Sequence, residues 1–310
     1  QRIIDFNMAM SNVMAERLNY FCEVIKRATD GKLLAGGLHS PPFCATLFHW
    51  AGSGGFEALL KSPYVDFDST PWTYEGRALG EGLFFRGPAD AMALRKKCLW
   101  MECDTRTSSV CEKQRKYGAP LDVQGDRENL RRDFIRLITS TANGYWYEIN
   151  FPWFTEEEQR EIIAEIGITA KRLTKLDRRR NADIAVIYDW DSIFYASEFV
   201  NFTSLCRQML QEFVRIGADF DMYTIDDIGK PEVNNHKLFI FPNAIQLSDE
   251  QRGRISRHLK RDGKVLLWSY APGLINPDAA TKLSVAHSSD VTGMTLGFIM
   301  ERLSPLMEVV

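Results

Sequence analysis

The chain has 310 residues, 45% of them hydrophobic and 12% aromatic, enough to build two globular units with apolar cores. Its 38 basic and 41 acidic residues are spread along the sequence with a formal charge of -3, so no basic face is offered to a nucleic acid. No apolar run approaches the roughly 20 residues of a membrane span, and residues 1–20 lack the pattern of a secretion signal, so no membrane is expected and the sequence gives no address.

Residues 3–28 place Ile3, Phe6, Met10, Val13, Leu18, Phe21 and Ile25 at the spacing of one buried helix face, ended by Asp30-Gly31. A short strand over 32–39 follows and runs into a Pro/Gly-rich loop to about residue 55. The same helix-strand unit recurs three times: helix 56–61 with strand 65–68, helix 88–97 opened by Pro88 with strand 98–102, and helix 128–141 with strand 144–149. Such a series predicts parallel strands with helices outside them.

A long helix to about Leu176 then starts at a capping box, Thr155-x-x-Glu158. The basic stretch 175–180 reads as a solvated linker, dividing the chain into units of 1–177 and 181–310. Beyond it, strands over 183–188, 220–224, 237–241 and 264–268 alternate with helices over 202–216 and 248–261, the second carrying a capping box at Ser248-x-x-Gln251. This is an α/β class sequence throughout, and the second unit reads as a small doubly wound sheet.

In a parallel barrel the C-terminal strand ends form the active-site mouth. Here those ends carry His39, Asp68, Trp72, Tyr74, Glu102, Asp104, Arg106, Trp146 and Glu148. Carboxylates mixed with flat aromatic rings suit a sugar, whose C–H faces stack on rings and whose hydroxyls bond to charged groups. Gly52-Ser53-Gly54-Gly55 lacks the lysine and spacing of a phosphate loop. Each residue also has a plainer role: Trp146 as packing, His39 as a hydrogen-bonded structural residue, Asp68 as a turn cap. Glu102 stands out, because it follows the apolar run 98–101, and there a carboxylate is costly unless paired or working. Arg106 is its alternative, purely structural partner. The six cysteines, at 22, 44, 98, 103, 111 and 206, make no C-x-x-C pair and have no histidine at zinc spacing, so no metal and no cofactor is expected.

Leu99-Trp100-Met101-Glu102-Cys103-Asp104-Thr105-Arg106-Thr107 resembles the strand-seven segment of the glycoside hydrolase family 42 β-galactosidases, with Glu102 on the nucleophile position. Residues 21–32, 59–67 and the stretch from 237–244 through 268–273 are similar to the same family, the last to its α/β trimerisation domain. The resemblance implies a partial (β/α)8 TIM barrel, strands five to eight, over 1–177, and a flavodoxin-like or amidotransferase-like α/β domain over 181–310. It implies a retaining mechanism on β-galactosides or related β-glycosides through Glu102. His39, Trp72, Tyr74, Asp104, Arg106, Trp146 and Glu148 would be substrate-binding residues, the last roles resting on position alone.

Retaining chemistry needs two carboxyl groups roughly 5–5.5 Å apart. The family's acid/base follows an Asn at the end of strand four, and this sequence holds no Asn-Glu pair, so the acid/base is expected upstream of Gln1 and the 310 residues alone inactive. A homotrimer is implied for the intact protein, with Phe194, Tyr195 and Phe199 either as candidate contacts or packed on the barrel. Cytoplasmic and periplasmic locations both stay open. So do β-mannoside, arabinoside or fucoside substrates and a non-catalytic sugar-binding protein on the same fold. An amidotransferase-like activity of the second unit is disfavoured, since Cys206 falls mid-helix rather than in a strand-helix elbow.

Overall fold

The computed structural model describes residues 2–39, 53–148, 152–177, 181–195 and 208–297. In chain order the elements are α1 (Arg2–Ala28), β1 (Gly36–Leu38), α2 (Phe56–Lys61), β2 (Phe67–Pro71), α3 (Ala89–Ala93), β3 (Cys98–Cys103), α4 (Glu112–Arg115), α5 (Val123–Ile138), β4 (Asn143–Trp146) and α6 (Glu157–Leu173). After these come β5 (Ile184–Tyr188), α7 (Met209–Phe213), β6 (Phe220–Thr224), α8 (Pro231–Asn234), β7 (Leu238–Phe241), α9 (Asp249–His258), β8 (Val265–Trp268) and α10 (Val285–Thr292). Among the described residues no helix is long and apolar enough to cross a membrane.

The strands form two four-stranded sheets, parallel throughout. The first runs β1-β2-β3-β4, each strand beside its predecessor as in a segment of a TIM-like barrel. The second runs β6-β5-β7-β8, so the order reverses between β5 and β7 as in doubly wound flavodoxin-like sheets. The fold class is therefore the expected α/β one, with both sheets parallel.

Several boundaries move for identifiable reasons. β2 begins at Phe67, not Val65; just before it the Asp66 carboxylate accepts from the Ala35 backbone N–H at 2.7 Å and pairs with Lys26 at 2.5 Å. α3 stops at Ala93, and the turn after it carries Lys96 at a φ of 58°. α5 starts five residues before the expected Glu128, because the Asp122 side chain caps it by accepting from Gly125 N at 2.8 Å. The capping box of α6 sits one residue later than expected, with Glu156 N donating to Gln159 Oε1 at 3.1 Å; Thr155 instead donates to Ser109. The box at Ser248 and Gln251 forms as read. Residues 40–52, Ile149, Phe199 and 202–207, which include Cys206, lie outside the described residues.

The buried face of α1 is not the one the apolar spacing indicates. Ile3, Phe6 and Phe21 are 77%, 61% and 60% exposed, and Met10, Val13 and Ile25 are exposed too, whereas Ser11, Ala15 and Cys22 are fully buried. Close approach explains this. A Cβ on Gly55 would lie 2.5 Å from the Ser11 carbonyl oxygen and 2.8 Å from the Ala15 Cβ, so the helix meets the chain through small residues that large ones would hold apart. Phe194 is buried, its ring against Gly54 and packed with Ile4 and Met8 of α1, so it is not an exposed assembly contact.

One apolar cluster joins both sheets: it includes Phe84, Met92 and Leu99 around the first and Val186, Met222 and Phe239 of the second. Asp90 stitches the two together: one oxygen accepts from Thr141 at 2.9 Å, the other from the Met222 N–H at the outer edge of β6, at 2.8 Å. Ion pairs Arg95–Asp227 at 2.8 Å and Lys61–Asp226 at 2.7 Å run alongside.

Candidate active site

Successive strand residues point to opposite faces. In β3 this puts Leu99, Met101 and Cys103 into the core beneath the helices and leaves Cys98, Trp100 and Glu102 half-buried on the other face. The register places Ser69 of β2 opposite Trp100, and Tyr145 of β4 opposite Glu102. Together with Gly36, Gly37, Leu38 and Phe67, the residues Ser69, Trp100 and Tyr145 line an open cavity of about 410 Å³. Glu102 belongs to this same face, one strand step from Trp100.

The Tyr145 hydroxyl donates to Glu102 Oε2 at 3.2 Å and lies 3.4 Å from the Ser69 hydroxyl, which itself donates to the Trp100 carbonyl at 3.0 Å. Partial burial raises the Glu102 pKa above the usual glutamate value, and the nearby Asp104 charge adds to that. The Tyr145 hydrogen bond and the positive charges of Arg86 and Arg77 act the other way.

Beside Glu102 lies an arginine-aromatic cage. Arg77, Arg86 and Arg106 stand 4.4, 4.6 and 5.9 Å from the Tyr74 ring centre. Arg106 also sits 4.7 Å from the rings of both Tyr117 and Trp153. Asp104 is buried between two of the cations, pairing with Arg77 at 2.7 Å and with Arg106 at 2.6 Å. Arg106 is thus the partner of Asp104 and not of Glu102, and the Asp104 carboxylate is committed to holding the cage.

The other expected site residues are dispersed. Trp72 is fully buried and stacked on Phe85 at 5.2 Å, so it is a core ring with no face for a sugar. Trp146 lies on the opposite strand face from Tyr145 and packs with Leu130, Phe134 and Ile162. His39 is buried, stacked on Phe56 at 6.2 Å, and its backbone N–H donates to Asp68 Oδ1 at 3.0 Å. Glu148 is exposed and accepts from the Trp153 and Phe154 N–H groups, both at 3.1 Å, which fixes the loop before α6. Tyr74, 44% exposed, forms the lip of the cage. The structure therefore gathers Tyr74, Glu102, Asp104 and Arg106, and adds Ser69, Arg77, Arg86, Tyr117, Tyr145 and Trp153, which the strand-end list missed. Among the described residues no three His, Cys, Asp or Glu side chains converge as a metal site.

No family model matches this chain. No curated protein matches it in sequence. Solved structures do. A catalytic mutant of Gan42B, a GH42 β-galactosidase from G. stearothermophilus, is 13% identical over 86% of this chain and 49% of that one, with a TM-score of 0.44. The β-galactosidase of the psychrophilic Marinomonas ef1 is 9% identical over 77% of this chain and 45% of that chain, with a TM-score of 0.44. That of Bifidobacterium adolescentis is 16% identical over 37% and 56%, with a TM-score of 0.30. The chain spans about half the length of these proteins. They are β-galactosidases, the group whose strand-seven segment the residues around Glu102 resemble; at such low scores the likeness carries no argument about activity, which rests on the residues above.

Proposed function

We propose that this chain carries the nucleophile side of a retaining glycoside hydrolase acting on β-galactosides or related β-glycosides. Glu102 attacks the anomeric carbon as the bond to the leaving oxygen breaks; a second carboxylic acid protonates that oxygen and then takes a proton from the water that releases the sugar. That second group is proposed to lie outside these 310 residues, since the neighbouring Asp104 is already held by two arginines. The observation that supports this reading is the setting of Glu102: a strand-end carboxylate on an open face, steadied on one oxygen by Tyr145 and lying beside an arginine-aromatic cage. The division at 177/181 and a homotrimer built through the second unit belong to the same proposal.

The test is hydrolysis of nitrophenyl β-galactoside and related glycosides by the full-length protein and its Glu102→Gln variant. The proposal expects a loss of several orders of magnitude, partly rescued by azide. Unchanged activity in the variant would remove Glu102 from the chemistry, and no hydrolysis by either protein would favour a sugar-binding protein without catalysis.

A further inference from the structure

Among the described residues, one cation of the cage beside Glu102 has neither a carboxylate nor a carbonyl partner. Arg77 spends its guanidinium fully: Nε donates to the Thr73 carbonyl at 2.5 Å, and Nη2 donates to the Trp72 carbonyl and pairs with Asp104, both at 2.7 Å. Arg106 donates to both the carbonyl and the carboxylate of Asp104, at 2.8 and 2.6 Å. Arg86 differs. It is only 6% exposed, its Nε is enclosed without a hydrogen-bond partner, and among the described residues it forms no ion pair. Among the described residues its one polar contact is the face of Tyr74, 4.6 Å from the ring centre. Three guanidiniums thus share a single buried carboxylate.

A buried, unpaired charge is strongly unfavourable, and a ring face offsets only part of that. Such a group persists where a ligand supplies the missing counter-charge. Arg86 is also placed for this. It ends the loop that leads from β2 into α3, so it sits at the C-terminal side of the strands, where Glu102 lies, and its charge acts on Glu102.

We infer that Arg86 anchors an anion-binding subsite next to Glu102, and that the saccharide taken there carries a carboxylate or a sulfate group. The saccharide half of this rests on the glycoside hydrolase reading; the anion half rests on Arg86 alone. A planar guanidinium fork matches either oxyanion, and the Tyr74 ring, 4.6 Å away, supports the fork.

The experiment is calorimetric titration of the full-length protein with D-galactose, D-galacturonate, D-galactose 6-sulfate and inorganic sulfate, repeated on Arg86→Met and Arg86→Lys. Arg86→Met keeps the stem against Tyr74, and circular dichroism checks that it folds. A charged sugar should bind at least about tenfold more tightly than galactose, with the difference lost in Arg86→Met and partly kept in Arg86→Lys. Which of the two charged sugars gains more identifies the oxyanion. Equal binding of neutral and charged sugars, a preference that survives Arg86→Met, or no binding of any probe overturns the inference. Arg86-dependent binding of sulfate with no binding of any sugar supports the anion subsite while counting against the glycoside reading, whereas galactose binding indifferent to Arg86 does the reverse.

Discussion

Two buried carboxyl groups, Asp68 and Glu57, make stability depend on pH near neutrality. Asp68 is buried with its Oδ2 unpartnered, and burial, opposed by the His39 and Ser69 backbone N–H groups, lifts its pKa to about 8. Glu57 is lifted to about 7, first by burial and then by the Asp226 charge. Both therefore hold protons in the folded chain that they release in the unfolded one. Their contribution is complete below about pH 4, declines as pH rises, and is gone above about pH 8. Asp68→Asn mimics the protonated form at every pH, so its melting temperature should exceed that of the parent by more at pH 8.5 than at pH 5.5; a constant difference would place the Asp68 ionisation elsewhere. Tyr145 is the second case. Removing its hydroxyl in Tyr145→Phe takes away the hydrogen bond that favours ionised Glu102, so under the proposed function the acid limb of the full-length protein's pH–rate profile should move to higher pH. An unmoved limb would mean that Tyr145 does not govern that carboxylate.

At the scale of elements, the two faces of α1 make opposite predictions. Ala15→Leu drives a large side chain into Gly55 and should cost about 1–3 kcal/mol in urea unfolding. Phe6→Ser, on the exposed stripe, should change stability by no more than about 0.5 kcal/mol. Asp122→Ala should cost about 1 kcal/mol through loss of the α5 cap. The same helix shows why part of the fold was readable and part was not. Helix and strand periods depend on local residue choice, so α1, α2, β3 and β6 were found nearly to the residue. Which face of α1 is buried depends on how close Gly54 and Gly55 come, a distant event that spacing in α1 cannot register. Glu102 was legible as a charge at the end of an apolar strand. Tyr145 was overlooked in favour of its larger neighbour Trp146, although strand alternation allows only one of the two to share a face with Glu102. Arg77 and Arg86 lie in a long loop, where no period exists to place them.

For the molecule as a whole, the junction between the sheets is the controlling feature. The two sheets share apolar packing, and Asp90 supplies the acceptor that both Thr141 and the edge of β6 require. Asp90→Ala leaves a buried N–H without a partner, a loss of about 1–3 kcal/mol. It should also broaden or split the calorimetric transition, as the second sheet loosens from the first. A single sharp transition at the original temperature would show that the junction is held without Asp90.

That shared packing also bears on how such a chain can evolve. A sheet whose apolar surface is completed by its neighbour cannot be traded as a cassette: an exchange of genetic material between β4 and β5 would part Arg95 from Asp227 and Asp90 from Met222, and would succeed only where the incoming piece already carried matching groups. The two halves are therefore expected to accumulate substitutions in compensating pairs across this seam, and to be inherited together.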